Sequence, residues 1–313
     1  MFYSARVRVE YREEPCRAAL NAVRGMPFRW SLNPYGGCTH RCTFCYVRAY
    51  ERRAERPAGE EYGRSIRVKT NVAGELRAEL RRPSWRRELV AIGTATDPYQ
   101  PAEGRYRLTR ACLVALAESA TPFSLVTRGP LVVRDIDVLQ DGARRGGATI
   151  TLSVPTLDER VWRTTEPRTA PPQQRLRALS LLRQAGIEAG VALAPLLPGI
   201  SDRPDQLEAV LRAARDSGAS FVWASMLHLR PGTREHFLAA LARDWPQELA
   251  RYERLYAQGA YLPRAEAERA LAAVATLRRD LGLLWPRRER QEEAEPRQLS
   301  FALATVAGGT IGR

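Results

Sequence analysis

The sequence lacks the features that would place a protein in or across a membrane. It contains no run of about 18 or more apolar residues, and its first stretch, MFYSARVRVEYREEP, has neither an apolar segment nor a small-residue cleavage site. A membrane-spanning helix needs about 20 largely apolar residues, and a secretory signal needs an apolar core. We therefore expect a globular, cytoplasmic protein that has no membrane partner.

Cysteine is scarce, and its number is odd. The chain has five cysteines in 313 residues, which does not suggest a disulfide framework and favours reduced thiols. Three of them, Cys38, Cys42 and Cys45, fall close together in one short segment, and metal binding is the natural interpretation of such a group. Cys16 and Cys112 stand alone, and we interpret them as ordinary, partly apolar residues.

Lysine is almost absent. All but one of the 49 basic residues are arginine, the exception being Lys69, and the net charge is +14. A positive surface attracts phosphate backbones, so DNA or another nucleic acid is a candidate partner. The same arginines also fit a bias in genomic base composition or solvated helix faces, and charge alone does not decide between these interpretations.

Short β-rich runs alternate with amphipathic helical segments. The β-rich runs are 28–32, 88–94, 122–128, 148–154, 187–195 and 219–227. The helical segments include 108–119, 174–186 and 205–218, with glycines at the predicted ends of the last two. Six strand–helix units predict a parallel sheet, either open or partly closed into a barrel. Ligands bind at the carboxyl ends of the strands in such sheets.

The three clustered cysteines follow the first predicted strand in the segment NPYGGCTHRCTFCY. Gly36 and Gly37 allow the backbone to approach a small bound object closely. A structural zinc site would need a fourth ligand, and only one C-x2-C pair is present; His40 lies in the segment, whereas His228 and His236 are distant in sequence. An iron–sulfur cluster held by three thiolates would leave one iron open to a substrate or cofactor. Zinc stays the less favoured alternative.

The segment CTHRCTFC resembles the C-x3-C-x-aromatic-C motif of radical S-adenosylmethionine (SAM) enzymes. This resemblance implies a [4Fe–4S] cluster whose open iron binds SAM, and reductive cleavage of SAM to give a 5′-deoxyadenosyl radical. It implies an electron donor such as flavodoxin or ferredoxin. It also implies the α/β class, with a partial (β/α)6 TIM-like barrel, to which this chain adds a small C-terminal helical extension.

Within the superfamily, the chain is similar to the spore photoproduct lyase-related group, including uncharacterised actinobacterial-type relatives. The similarity runs over most of the sequence, and its most discriminating phrases are TDPYQP at 96–101 and EPR at 166–168. We expect an N-terminal extension at 1–27, the partial barrel at 28–227, a helical region at 228–285 and a flexible tail at 286–313.

The resemblance also assigns roles to individual residues. It implies that Cys38, Cys42 and Cys45 bind the cluster. It implies SAM-binding residues at Phe44, Tyr46, Thr96, Asp97, Arg128, Ser153 and Ala194, and catalytic residues at Tyr46 and Tyr99. A carboxylate at Asp97 suits the methionyl ammonium, and the guanidinium of Arg128 suits the methionyl carboxylate.

Each of these roles has a structural alternative. Phe44 and Tyr46 could be packing residues, and Asp97, which precedes a proline, could form a simple Asx turn. Glu166 and Arg168 are candidate site residues, but they could equally form an internal salt bridge.

Two positions depart from the lyase pattern. Thr94 stands where the lyase has a cysteine that returns a hydrogen atom to the product, and Phe44 stands where it has a tyrosine. Repair of damaged DNA is therefore one hypothesis, and a radical reaction on RNA, a peptide or a metabolite is a second. A third is a non-catalytic iron–sulfur or zinc protein that binds nucleic acid, which would have no use for Asp97, Arg128 and Ser153.

Overall fold

The structure is a computed structural model that describes residues 9–284. Its strands are β1 (Glu10–Glu14), β2 (Leu20–Ala22), β3 (Trp30–Leu32), β4 (Tyr35–Gly36), β5 (Ser65–Lys69), β6 (Val90–Ile92), β7 (Phe123–Thr127), β8 (Ala148–Ser153), β9 (Glu188–Leu196) and β10 (Val222–Met226). Its α-helices are α1 (Val47–Arg53), α2 (Val72–Leu80), α3 (Ala102–Tyr106), α4 (Leu108–Glu118), α5 (Ile136–Arg145), α6 (Glu159–Thr165), α7 (Pro172–Gln184), α8 (Pro204–Asp216), α9 (Thr233–Asp244), α10 (Leu249–Leu255) and α11 (Arg264–Asp280). Two 3-10 helices cover Pro130–Asp135 and Pro246–Glu248.

The main sheet has seven strands in the order β10-β9-β8-β7-β6-β3-β2. The six strands that the sequence predicts pair in parallel, each with the next one along the chain. The additional strand, β2, pairs antiparallel with β3 and ends the sheet on that side. The order has two free ends, so the sheet is not a closed barrel. This confirms the α/β class and the partial (β/α)6 TIM-like barrel.

The middle of the sheet is buried on both faces. All six residues of β8, ATITLS, are buried, as expected for a strand of a parallel sheet that is covered on both faces. Leu125 on β7 is aligned with Ile150 on β8, and Leu152 is aligned with Val191 on β9. All four side chains are fully buried, so the core of the molecule lies along these strands.

Local sequence signals set the limits of the crossover helices. Helices α7 and α8 each begin at a proline, whose fixed φ suits the first helical position. Gly186 and Gly218 follow their ends with φ of 76° and 81°, a conformation that stops a helix and favours glycine. The predicted helices at 174–186 and 205–218 are therefore confirmed.

A small second sheet was not predicted from the sequence. Its order is β1-β5-β4, with β1 parallel and β4 antiparallel to β5. Strand β1 has the sequence EYREE and is largely exposed, so it lacks the apolar alternation that identifies a strand. Strand β4 pairs with β5 immediately before the clustered cysteines, so this sheet fixes where their loop begins.

Helices α9, α10 and α11 follow β10 and form the predicted C-terminal helical extension. Helix α11 packs against α8 and β10. The predicted tail at 286–313 lies outside the described residues, and the exact domain boundaries stay a prediction. Among residues 9–284, no helix combines the length and the apolar character that a membrane crossing requires.

Candidate metal and cofactor site

The clustered cysteines lie in one loop, residues 37–46, which we call the cysteine loop. It follows β4 and leads directly into α1, so it belongs to the connection at the carboxyl end of β3. Cys38 and Cys42 are buried and Cys45 is partly buried, and all three thiols are free. The structure thus places three reduced sulfurs where a parallel sheet of this kind binds its ligands.

The loop after β6 holds the start of the cysteine loop. The hydroxyl of Thr96 donates to the carbonyl of Gly37 at 2.6 Å. The side chain of Gln100, which is completely buried, donates to the same carbonyl at 3.1 Å and accepts from the amide of Thr39 at 3.0 Å. In the structure the hydroxyl of Thr96 positions the cysteine loop, and its predicted contact with SAM stays a prediction. Gln100 was not predicted, although it lies in the phrase TDPYQP.

Residues from much later in the chain hold the rest of the loop. The amide of Thr43 donates to the carbonyl of Thr165 at 2.9 Å, beside the end of α6. The hydroxyl of Thr233, the first residue of α9, donates to the carbonyl of Cys45 at 3.1 Å. The cysteine loop is therefore fixed by tertiary contacts, and its conformation does not depend on its own sequence alone.

The segment before β5 packs directly on the sulfurs. The hydroxyl of Tyr62 lies 3.5 Å from Sγ of Cys45, and the guanidinium of Arg48 lies 4.6 Å from the centre of the Tyr62 ring. Gly63 has a φ of 75° and approaches the Cys38 carbonyl so closely that an added Cβ would lie 2.2 Å from that oxygen. Only glycine fits this position without a shift of the backbone. Sequence reasoning did not identify Tyr62, since one tyrosine in a charged segment carries no signal.

The carboxylate of Asp97 is buried and held by several donors. It accepts hydrogen bonds from the amide of Tyr99 at 2.9 Å, the hydroxyl of Thr127 at 2.6 Å and the amide of Arg128 at 2.7 Å. Nδ1 of His40 lies 3.4 Å from the same carboxylate. The bond from Tyr99 is the Asx turn that the sequence offered as an alternative. Because a carboxylate has about four acceptor positions, this geometry favours a positioning role for Asp97, and direct contact with SAM stays a prediction.

The pKa values in this pair follow from burial and charge. Burial disfavours the charged form of Asp97, but the nearby His40 and the donors from Thr127 and Arg128 outweigh it and lower the pKa of the carboxyl to about 2. Burial likewise lowers the pKa of His40, but Cys38 and Asp97 outweigh it and raise this pKa to about 10. The pair is therefore ionised at neutral pH.

Several of the residues predicted to bind SAM lie close to the guanidinium of Arg128. Its guanidinium donates to the carbonyl of Ala194 at 2.9 Å and lies 5.5 Å from the centre of the Phe44 ring. The hydroxyl of Ser153 donates to the same carbonyl at 3.1 Å. The structure thus brings together four residues predicted to bind SAM, from the cysteine loop, from the residue after β7, and from β8 and β9. Their contact with SAM itself stays a prediction.

A buried ion-pair network supports this group. Glu166 pairs with Arg128 on one side and with Arg175 on the other, the latter at 3.0 Å, and both Glu166 and Arg175 are fully buried. Burial raises the pKa of Glu166, but Arg175 and Arg128 outweigh it and lower this pKa overall. Arg175 also donates to the carbonyl of Ser153 at 2.8 Å. The sequence suggested Arg168 as the partner of Glu166; the partners in the structure are Arg128 and Arg175.

The two predicted catalytic tyrosines lie in different surroundings. The hydroxyl of Tyr46 donates to the carbonyl of Thr94, the residue that we predicted to stand in place of the lyase cysteine. The hydroxyl of Tyr99 donates to the buried carboxylate of Asp135 at 3.0 Å. The hydroxyl of Tyr46 thus contacts the backbone of the loop after β6, whereas Tyr99 lies in that loop and its hydroxyl belongs to a buried charged network. Catalytic roles for both stay predictions.

The side chains of the cysteine loop can be tested for their fit to a single metal ion or to an iron–sulfur cluster. Within residues 9–284, no three or more His, Cys, Asp or Glu side chains are grouped as they would be around a metal ion. That result concerns one ion; thiolates on a four-iron cluster bind different irons, so their sulfurs need not converge on one point. The hydroxyl of Thr39, between Cys38 and His40, is buried and has no hydrogen-bond partner in the described part of the chain. A sulfur-rich group bound in the loop would supply the missing acceptor.

The fold and the cysteine loop together define a class of protein. It has an open, parallel α/β barrel with three free thiols in the loop at the carboxyl end of the first barrel strand. The model of the Radical SAM superfamily matches residues 32–214. The protein therefore belongs to the radical SAM superfamily. Its members are enzymes that use SAM and an iron–sulfur cluster, and this confirms the resemblance seen in the sequence.

The chain is also similar to two individual proteins and to a solved structure. An uncharacterised protein of Mycobacterium tuberculosis is 40% identical over 272 residues, which cover 86% of this chain and 80% of that protein. The Radical SAM Nalpha-GlyT isomerase of Pseudomonas phage M6 is 29% identical over 182 residues, which cover 55% of this chain and 34% of the isomerase. Spore photoproduct lyase, solved with dinucleoside spore photoproduct, superposes with a TM-score of 0.65 at 12% identity, covering 87% of this chain and 79% of the lyase. At that identity, the likeness to the lyase shows a shared fold.

Proposed function

We propose that the protein holds a [4Fe–4S] cluster on Cys38, Cys42 and Cys45, cleaves SAM reductively, and acts on a nucleobase in DNA, with damaged DNA as the first candidate substrate. The observation that carries the proposal is the cysteine loop itself. Its three thiols are free, its backbone is fixed from three separate parts of the chain, and the hydroxyl of Thr39 is buried without an acceptor.

The bound cluster would supply one electron to SAM and so generate the 5′-deoxyadenosyl radical. The chain's own residues would bind SAM and orient it. Arg128 presents a guanidinium beside the aromatic ring of Phe44, a pair that suits the carboxylate and the flat base of SAM. Ser153 and the carbonyl of Ala194 offer polar contacts at the same place. Asp97 acts by holding the backbone of Arg128 in position.

Anaerobic reconstitution tests the cluster. Wild-type protein should bind about four irons per chain. The Cys42→Ala variant should lose the cluster, whereas Cys112→Ala should keep it. Cys112 is a suitable control because it is also buried and free but lies on α4, outside the cysteine loop. Full iron content in Cys42→Ala would refute the ligand assignment.

A nucleic-acid substrate is supported by the net charge of +14 and by the named relatives. The lyase was solved with a dinucleoside photoproduct, and the phage relative is named as a Nalpha-GlyT isomerase. Because Thr94 replaces the hydrogen-donating cysteine, the lyase reaction itself would need another donor, such as Tyr46. A radical reaction on RNA, a peptide or a metabolite is the alternative.

Turnover with a substrate panel separates these possibilities. Reduced, reconstituted protein would be incubated with SAM and with ultraviolet-irradiated DNA, undamaged DNA or tRNA, and 5′-deoxyadenosine and product masses would be followed. We expect irradiated DNA to stimulate 5′-deoxyadenosine release most strongly and to show a mass change. Release that no nucleic acid stimulates would overturn the substrate class but leave the SAM chemistry intact.

A further inference from the structure

Arg48 and Arg175 are both fully buried, but their surroundings differ in charge. Arg175 pairs with the carboxylate of Glu166 at 3.0 Å. Arg48 forms no ion pair with a carboxylate anywhere in residues 9–284, and its hydrogen bonds go to backbone carbonyls alone. Burying a charge is costly unless an opposite charge accompanies it. The interior beside the cysteine loop therefore holds a positive charge that no acidic side chain balances.

The guanidinium of Arg48 joins two segments of the chain. It donates to the carbonyls of Ala58 and Gly59, which lie between α1 and β5, at 2.7 and 2.6 Å. It also donates to two carbonyls of the cysteine loop, those of Cys42 at 3.4 and 3.5 Å and of Arg41 at 3.4 Å. Arg48 thus fixes the backbone of the loop at one of its three cysteines.

The charge of Arg48 lies close to the sulfurs. Its guanidinium is 4.6 Å from the centre of the Tyr62 ring, and the hydroxyl of Tyr62 is 3.5 Å from Sγ of Cys45. Burial lowers the pKa of Arg48, and the groups that oppose this effect most are Cys45, Tyr62 and Cys42. A cysteine that binds iron is a thiolate. The negative charge that balances Arg48 would therefore be that of the iron-bound thiolates.

We propose that Arg48 is a positioning residue whose buried charge balances the cluster and stabilises its reduced form. Three thiolates more than cancel the positive charge of the oxidised core, and reduction adds one electron, which comes from an external one-electron donor and moves no proton. A positive charge beside the sulfurs favours the more negative state, since net charge is one of the factors that set the potential of such clusters. The proposal rests on the proposed function, because it concerns the cluster assigned there to the cysteine loop.

The midpoint potential of the reconstituted full chain tests the charge of Arg48, by titration with dithionite followed by electron paramagnetic resonance. Arg48→Gln keeps an N–H donor for the carbonyls but removes the charge. Two unit charges roughly 10 Å apart at an effective dielectric constant of about 20 change an equilibrium about tenfold or more. Reduction should therefore become about tenfold less favourable, a shift of ~59 mV to more negative potential for one electron.

Two further variants serve as comparisons. Arg48→Lys keeps the charge and loses the planar guanidinium, and its potential should stay near that of wild type. The matched control is Arg52→Gln, one turn later on α1. It removes the same charge from a side chain that is 55% exposed, where solvent and salt screen it, so the potential should hardly change.

The outcomes separate this proposal from the proposed function. Equal potentials in wild type, Arg48→Gln and Arg52→Gln would overturn the role of the charge while the cluster stands. Equally negative potentials in Arg48→Lys and Arg48→Gln would also overturn it, because the effect would then belong to the hydrogen bonds to the carbonyls.

Iron content decides the case in which Arg48→Gln does not retain the cluster. Wild-type iron content and potential in Arg48→Lys would then support the role of the charge, whereas loss of iron in both variants would overturn it. A wild-type protein that binds no iron would overturn the ligand assignment of the proposed function, and the role of Arg48 with it.

Discussion

Cys45 has a neighbour that no sequence motif reveals. The hydroxyl of Tyr62 lies 3.5 Å from its sulfur, and the thiol and the phenol could each be the donor in the free protein. A cysteine that ligates iron is a thiolate and can only accept, so Tyr62 would then donate. Hydrogen bonds to the sulfurs are one of the factors that set the reduction potential of an iron–sulfur cluster.

Removing this donor should make the cluster harder to reduce. In Tyr62→Phe the ring and its contact with Arg48 stay, but the reduced, more negative cluster loses a stabilising hydrogen bond. We expect a more negative midpoint potential than in wild type, measured by redox titration followed by electron paramagnetic resonance. Tyr256→Phe is the control, since its buried hydroxyl donates to the carbonyl of Leu227 at 2.7 Å and not to a sulfur. An unchanged potential in Tyr62→Phe would contradict the prediction.

Asp97 makes the free energy of unfolding depend on pH in the acid range. Its pKa in the folded protein is about 2, below the ordinary value of 3.8, so the folded state favours the ionised carboxyl. The stabilisation that this provides is fully present at pH values above the pKa of Asp97 in the unfolded state. It is lost as the pH falls through the pKa in the folded state. From the size of the shift it amounts to about 2 kcal/mol.

Asp97→Asn should therefore be less stable than wild type at neutral pH, by about 2 kcal/mol, and the difference should shrink as the pH falls from about 4 towards 2. Urea unfolding at a series of pH values measures both effects. Asp205→Asn serves as the control because that carboxylate is exposed. If the difference in the free energy of unfolding between wild type and Asp97→Asn stayed constant over this pH range, Asp97 would stabilise the fold by some means other than its charge.

At the scale of secondary-structure elements, the sequence predicted the strands of the barrel but not the small sheet. Strands such as β8, with the sequence ATITLS, alternate apolar and polar residues, and the helices between them have apolar residues at three- and four-residue spacing, so both carry strong periodic signals. Strand β1 is mostly charged and exposed and carries no such signal, and its neighbour in the small sheet is β5. Their pairing brings together residues 10–14 and 65–69, which no local pattern can show.

The same limit applies to the candidate site. Cysteine spacing and the resemblance located the cysteine loop and the residues that gather near Arg128. The contacts that hold them were not predictable, because Gln100, Arg175 and Thr233 act across long sequence separations. Arg175 in particular belongs to α7, where the helical pattern alone gives an arginine no reason to be buried.

Arg175 connects α7 to the ends of two other elements. It donates to carbonyls at Ser153, the last residue of β8, and at Ala170, and it pairs with Glu166 after α6. Arg175→Met would leave these two carbonyls buried without their donor. It would also remove one of the two arginine partners of the buried carboxylate of Glu166. We expect a loss of about 3–5 kcal/mol in the free energy of unfolding, measured with urea. Arg177→Met on the same helix, where the arginine is exposed, should cost less than about 0.5 kcal/mol; equal losses would refute the argument.

At the scale of the whole molecule, the net charge of +14 overstates the charge that is free to bind a polyanion. Many exposed arginines pair with acids on their own helix, as Arg212 does with Glu208 and Arg264 with Glu268. Binding to nucleic acid should therefore depend on a limited number of phosphate contacts. The salt dependence of binding counts those contacts directly.

We expect affinity for a DNA oligonucleotide to fall at least about tenfold between roughly 50 and 200 mM salt, the effect of about two phosphate contacts. Anisotropy titrations at several salt concentrations give the slope. A peptide nucleic acid of the same sequence, which lacks phosphates, should show almost no such dependence. If the DNA itself gave a flat slope, the positive charge would have no part in binding.

The hydrogen bond from Thr233 to the carbonyl of Cys45 spans 188 residues, and that from Thr43 to Thr165 spans 122. On a chain emerging from the ribosome, the three thiols are made early, but the groups that hold their loop are made much later. Delivery of iron and sulfide to the formed loop should therefore follow synthesis of Thr233, and until then the thiols depend on their surroundings for protection from oxidation.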